Sequence, residues 1–287
     1  MKNKSIRLPD FIGIGVPKAG TTWFSRLISQ HPLILFPSKK EIHFFSSDEN
    51  YAKGAEYYSY FFESNNNYIC GEFSTKYLKN YETVIPRIKE TYTDPPKLVC
   101  ILRDPVGRSI SHYHWLIQLG ILPRNCSLTN AIKMEPQIIE YSCYSKPVTA
   151  YIEAFGSDNV LIILMEEMIK YPNQITQQFF EFVGLNNEIE IDFSVSKGET
   201  FMPKFVFFER IRKFIYFQLY RYNLDSIITF SSRIGLSNLY RMLNREKTDV
   251  NKALIKETEL ITLNNCLSDE KLILSKLFPR VINYWKN

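Results

Sequence analysis

Five short apolar runs recur along the first two thirds of the chain: Phe11 to Val16, Leu33 to Phe36, Tyr68 to Phe73, Lys97 to Leu102 and Asn159 to Met165. Polar residues do not alternate through them, which is the pattern of strands buried on both faces of a parallel sheet. Between the runs the apolar spacing changes to three and four. Phe24, Leu27 and Ile28 predict a helix starting at Thr21, and Val84, Ile85 and Ile88 predict one over Glu82–Thr91 despite Pro86. Further helices are predicted over Gly54–Phe62, from Asp104-Pro105 onward with Asp as N-cap and Pro at the first position, over Val148–Phe155, and over Gln174–Val183. Residues 120–146 read as short helical pieces and turns, and the pattern beyond Pro203 is wholly helical. The alternation predicts a three-layer α/β fold: a P-loop-like parallel sheet flanked by helices, with a helical C-terminal third.

The first run leads into the densest chemistry. In Asp10-Phe-Ile-Gly-Ile-Gly-Val-Pro-Lys-Ala-Gly-Thr-Thr-Trp23, a strand meets a glycine turn and then a helix. That arrangement aims backbone N–H groups and a positive helix end at an anion. Gly15 and Gly20 keep the spacing of a Walker A loop, but Thr21 occupies the lysine position, and the only lysine, Lys18, lies inside the loop. A kinase or triphosphatase needs that lysine on the β- and γ-phosphates beside Mg²⁺. Here the anion cradle is kept and the cation has moved.

A second polar bend follows the run Lys97 to Leu102. Arg103 stands at its carboxyl end, and Arg108, Ser111 and Trp115 share one face of the following helix. An Arg fork with a helix-borne hydroxyl is a clamp for a second phosphate. Two anion sites on one sheet imply a nucleotide phosphorylated at two places. Lys39, Lys40 and Glu41, which follow the second run, fall near the first loop, since ligands gather outside the carboxyl ends of parallel strands.

Composition narrows the class. With 287 residues, 45% hydrophobic and 23% charged, the chain reads as a soluble globular protein with a full core and neither a repeat nor a linker. One domain over 1–287 is expected, with an α/β nucleotide-binding core at 8–200 and a helical part at 201–287. A net charge of +5 suits anionic ligands and is too small to argue for nucleic acid. The excess is local: eight Lys or Arg lie between Phe201 and Arg245 against Glu209 and Asp225. Phe205–Tyr222 is therefore a candidate surface for an acceptor or a membrane, with a solvated helix face as the plainer account. The five cysteines are scattered, which argues against zinc or a disulfide framework and fits a reducing, cytoplasmic setting. No stretch approaches a membrane span or a signal h-region. His112 and His114 have no metal-ligand partners at metal spacing, and Glu166-Glu167 reads as the N-terminal charge of a helix.

The segment Val16-Pro-Lys-Ala-Gly-Thr-Thr-Trp23, followed by Ile101-Leu-Arg-Asp-Pro-Val-Gly-Arg-Ser-Ile-Ser-His-Tyr113, resembles the nucleotide-binding segments of sulfotransferases. These enzymes use 3′-phosphoadenosine 5′-phosphosulfate. Lys40-Glu-Ile-His-Phe-Phe45 further resembles the KE-x-x-FF stretch of the glycosaminoglycan branch, the heparan sulfate N- and 3-O-sulfotransferases and their bacterial relatives. The likeness covers roughly residues 10–200, beyond which only the region of Trp285 resembles the family.

The resemblance implies a role for each matching position. Pro17, Lys18, Ala19, Gly20, Thr21, Thr22 and Trp23 would hold the 5′-phosphosulfate, with Ser74 near it. Arg103 and Ser111 would hold the 3′-phosphate, and Lys197 and Gly198 would close over the nucleotide. Lys18 would neutralise charge on the bridging oxygen as the S–O bond breaks. Glu41 would take the acceptor's proton, with His43 beside it. The nucleotide would leave as adenosine 3′,5′-bisphosphate, and no metal is expected. The implied acceptor is a hydroxyl or amine on a glycan or glycolipid; a small alcohol or a peptide tyrosine is the alternative. The chain departs from the glycosaminoglycan group at Ser46, where that group has an acid, and at Phe73, where it has a lysine.

Physical chemistry is compatible with the same roles. A sulfuryl group in flight carries one negative charge, which fixed cations and N–H dipoles stabilise. The acceptor needs a base, and Glu41 is the carboxylate that topology brings to the loop. Two rival classes stay open on residues alone: a P-loop kinase using ATP and Mg²⁺, and a nucleotide-binding module without catalysis. Oligomeric state is not legible.

Overall fold

The computed structural model describes residues 6–62, 67–185, 189–194, 211, 215 and 255–285. By internal contacts the chain divides into two compact units. The first comprises residues 1–109, 139–198 and 264–287, and the second 110–138 and 199–263.

The first unit is built on a five-stranded sheet of β1 (Phe11–Gly15), β2 (Ile34–Leu35), β3 (Ile69–Phe73), β4 (Lys97–Leu102) and β5 (Val160–Leu164), in the order β2-β3-β1-β4-β5. Every pairing is parallel. β1, β4 and β5 are buried almost throughout, as their unbroken apolar runs require. Among the described residues of the two units, the helices are α1 (Thr21–Ile28), α2 (Asp48–Tyr51), α3 (Gly54–Ser59), α4 (Tyr81–Thr91), α5 (Pro105–Gln118), α6 (Leu128–Met134), α7 (Gln137–Glu140), α8 (Ser145–Phe155), α9 (Met165–Lys170), α10 (Pro172–Phe182) and α11 (Glu257–Leu277). On one face of the sheet Phe24 of α1 and Phe179 of α10 meet edge to face, 5.4 Å apart, and Phe179 also meets Phe11 of β1.

Two glycines bring β1 and β3 under this aromatic layer. Gly13 lies opposite Phe73, and Gly71 opposite Phe11. A Cβ on Gly13 would sit 1.9 Å from the Phe73 ring, and one on Gly71 would sit 2.1 Å from the Phe11 ring. Each ring thus covers the backbone of the strand beside it.

Several helix limits differ from the sequence reading, for physical reasons. α8 begins at Ser145 rather than Val148, because Glu270 accepts from the N–H groups of Tyr144 and Ser145, both at 2.6 Å. α3 stops at Ser59, and Tyr60 beyond it is 88% exposed. α4 keeps Pro86 inside it, as expected. Asp104 caps α5 by accepting from the Gly107 N–H at 2.8 Å. In the second unit, Glu259 accepts from the Thr129 N–H at 3.0 Å, close to the start of α6, and Tyr113 donates to the Cys126 carbonyl at 2.6 Å. No described helix is long and apolar enough to cross a membrane.

Candidate active site

β1 and β4 are neighbours whose following connections run apart, so their carboxyl ends form the crevice where open α/β sheets hold ligands. The Val16 N–H bonds the Ile101 carbonyl at 3.0 Å, which carries the pairing past the end of β1. The loop then turns through Lys18 (φ 73°) and Gly20 (φ 84°) into α1. No side chain caps α1 by a hydrogen bond and no acid lies in its first turn, so no carboxylate of the helix itself offsets its positive end. Ala19 and Trp23 are buried in the core, which leaves only their backbone to face a ligand.

The two polar bends meet here. Arg103 Nη1 donates to the Lys18 carbonyl at 3.1 Å. Lys18 is held down to about 8, first by burial and then by the positive charges of Arg103 and Arg108. Arg108 is fully buried, donates from Nε to Ser142 Oγ at 2.6 Å, and is held down to about 10, mainly by burial. Three cations crowded at the carboxyl ends of two central strands repel one another and call for an anion.

The segment after β2 supplies the opposite wall. Lys40 donates to Thr22 Oγ1 at 2.5 Å, tying this wall to the first helix. Burial pulls its ammonium below the usual lysine range. Glu41 and His43 both have positive φ, 57° and 55°. His43 Nε2 lies 3.3 Å from Glu41 Oε2, and the Thr75 hydroxyl donates to the same oxygen at 3.3 Å. Burial works to raise the Glu41 carboxyl, but the His43 contact, Lys40 and Thr75 outweigh it, so Glu41 rests below the usual range and is ionised at neutral pH. Beside it a cavity of about 200 Å³ is lined by Arg26, Phe36, Pro37, Lys39, Glu72 and Phe73 among others.

Ser74 is fully buried; its hydroxyl donates to Glu72 at 2.7 Å and accepts from the His43 N–H at 3.0 Å. Ser111 is half-buried, on the part of α5 that belongs to the second unit. Lys197, Gly198 and most of the basic segment 205–222 lie outside the described residues.

Residues 8–199 match the sulfotransferase domain. The chain belongs to that family. Among solved structures, a sulfotransferase from Alicyclobacillus acidocaldarius is 28% identical, with a TM-score of 0.58 over 67% of this chain and 87% of that one. The membrane-associated sulfotransferase kil1 of Dictyostelium discoideum is 38% identical over 49% of this chain and 31% of its own length. Mouse heparan sulfate glucosamine 3-O-sulfotransferase 5 is 28% identical over 67% of this chain and 59% of its own length. The matched stretch is thus under two thirds of either curated relative.

The sequence places Arg108 on a helix face and Glu72 in the stretch Glu72-Phe-Ser-Thr75 that is compared with the family, but gives neither a task. The signal for both was available: an acid inside the apolar run Tyr68–Phe73, and a second arginine close behind Arg103. Acids and arginines inside a core must be paired.

Proposed function

We propose that this sulfotransferase takes 3′-phosphoadenosine 5′-phosphosulfate as donor and transfers its sulfuryl group to a hydroxyl or amine on a glycan or glycolipid. One observation carries the reading: the bond from Arg103 to the Lys18 carbonyl, which brings two anion-binding bends to one crevice. The residues present fit the donor. An uncapped helix end and Lys18 suit the phosphosulfate, and Arg103, with Arg108 behind it, suits a 3′-phosphate that ADP and ATP lack.

In the proposed reaction the acceptor oxygen or nitrogen attacks sulfur in line with the bridging oxygen. A bond to the acceptor forms, the S–O bond to the nucleotide breaks, and adenosine 3′,5′-bisphosphate leaves with the electron pair. Glu41 receives the acceptor's proton, with His43 and Thr75 fixing its carboxylate. Lys18 offsets the charge that grows on the bridging oxygen. The sugar-directed relative supports a glycan acceptor. The small cavity walled by Phe36, Pro37 and Phe73 supports a second reading, a small alcohol or a tyrosine side chain.

The test is calorimetry with adenosine 3′,5′-bisphosphate against ADP, both without metal, followed by transfer from labelled donor to glycan and small-alcohol acceptors. Tighter binding of the bisphosphate, with transfer lost in Lys18→Ala and Glu41→Gln, is expected. Equal affinity for the two nucleotides, or transfer that survives both substitutions, overturns the reading.

A further inference from the structure

Glu72 is a buried carboxylate for which the transfer mechanism above has no task. It lies in β3, is 1% exposed, and burial holds its carboxyl above the usual range. Three hydroxyls donate to it: Tyr58 at 2.7 Å and Tyr77 at 2.9 Å on Oε1, and Ser74 at 2.7 Å on Oε2. Two of these go on to grip the chain that carries Glu41. Ser74 Oγ accepts from the His43 N–H at 3.0 Å, and the Tyr77 hydroxyl accepts from the Phe45 N–H at 3.3 Å. The third ring, Tyr58, lies flat on Phe44, with centroids 4.3 Å and planes 4° apart. Residues 43, 44 and 45 are thus each held by a group that Glu72 orients.

The turn needs such a hold. Glu41 and His43 both sit at positive φ, a region that costs a non-glycine residue of order 1–3 kcal/mol and persists only where the surroundings impose it. A carboxylate suits the task because it accepts on both oxygens at once. A glutamine there has one oxygen and one NH₂ group. Either Ser74 or the two tyrosines would then face a donor, and would have to rotate away from the geometry that holds the backbone N–H groups.

We propose that Glu72 is a positioning residue for the transfer reaction: through Ser74 and Tyr77 it fixes the turn that aims Glu41 and His43. The activity half of this inference rests on the sulfotransferase reading; the structural half does not.

The test uses the full chain with Glu72→Gln, Tyr77→Phe and the double variant. We expect kcat to fall at least about tenfold in Glu72→Gln, since misplacing a reacting group by about 1 Å can cost a hundredfold. A fall of severalfold is expected in Tyr77→Phe, and the double variant should be no slower than Glu72→Gln, because both act through one network. The KM for the donor and the Kd for adenosine 3′,5′-bisphosphate should stay within about twofold, which general damage to the fold would not allow. Tyr77→Phe changes no charge and keeps the ring, so it should move the imidazole NMR signal of His43, assigned with His43→Gln. If Glu72→Gln does not fold, Tyr77→Phe carries both measurements. A kcat unchanged in either folded variant, or nucleotide affinity falling in step with kcat, overturns the proposal. Should the parent chain transfer no sulfuryl group, the sulfotransferase reading fails and the NMR arm decides this inference alone: an unmoved His43 signal refutes it.

Discussion

Lys18 makes a quantitative prediction about nucleotide binding. Its ammonium is lowered from 10.5 to about 8, first by burial and then by Arg103 and Arg108. At about 1.36 kcal/mol per pH unit, holding that charge costs the folded protein about 3 kcal/mol near neutrality. The cost is felt in full below pH 8 and is relieved as pH rises from about 8 toward 10.5, where the unfolded chain also loses the proton. A bound phosphate or sulfate reverses the balance by favouring the charged amine. Binding of adenosine 3′,5′-bisphosphate should therefore take up a proton, about half of one at pH 8, and its affinity should fall about tenfold between pH 7 and pH 9. The ligand's own phosphates complete their ionisation near pH 6 and add little to that slope. Calorimetry in buffers of different ionisation enthalpy reads the uptake directly. Lys18→Met should flatten the slope and abolish the uptake while binding more weakly at pH 7. An affinity that is flat from pH 7 to 9 in the parent, or an equal slope in Lys18→Met, would refute the placement of Lys18 against the anion.

Glu41→Gln should lower kcat by about two to four orders of magnitude, the usual worth of a general base, and leave the bisphosphate Kd unchanged in calorimetry. Arg103→Ala should weaken adenosine 3′,5′-bisphosphate by more than tenfold while changing ADP affinity much less, since a lost charge-assisted fork costs of order 1.5–3 kcal/mol; an equal loss for both ligands would place Arg103 away from the 3′-phosphate. Gly13→Ala puts a methyl group 1.9 Å from the Phe73 ring and should lower stability by at least about 1–3 kcal/mol in urea titration, with Gly71→Ala behaving alike.

The parallel sheet was legible because burial on both faces writes itself into sequence as unbroken apolar runs, and β4 coincides with its run residue for residue. One edge strand was less legible. β2 spans only Ile34–Leu35 and Leu33 before it is 41% exposed, so little of its run is buried, whereas β5 at the other edge is buried throughout. α6 has only Leu128 and Ala131 buried, too little for a period to show. Ser127 caps α6 locally, but the Thr129 N–H in its first turn and the start of α8 are bound by Glu259 and Glu270, carboxylates well over a hundred residues away in sequence. Such distant bonds leave no local trace. The candidate site divides in the same way. The meeting of the two polar bends and the nearness of Glu41 followed from topology, and the pairing of Glu41 with His43 from the family resemblance, whereas the support beneath them came from Tyr58, Tyr77 and Ser142, which no spacing rule connects.

Backbone geometry gives an independent reason to place chemistry at these positions. Among the described residues, the non-glycine residues with positive φ are Lys18, Glu41 and His43. They are the same three that sequence motifs marked for the transfer step. Each lies in a connection that follows the carboxyl end of a strand, where the chain is free of ladder hydrogen bonds and can adopt an unfavourable turn. Such turns survive because their flanks are over-determined. Phe44 and Phe45 are buried against Tyr58, the loop before α1 is pinned to Ile101 and Arg103, and Asn50 Nδ2 holds the Ile42 carbonyl at 3.1 Å. Relaxing any one turn to a negative φ would swing its side chain out of the crevice while leaving the sheet intact. Strain and stability are therefore linked here: the buried and hydrogen-bonded flanks supply the stability that holds Lys18, Glu41 and His43 in turns a free chain would avoid.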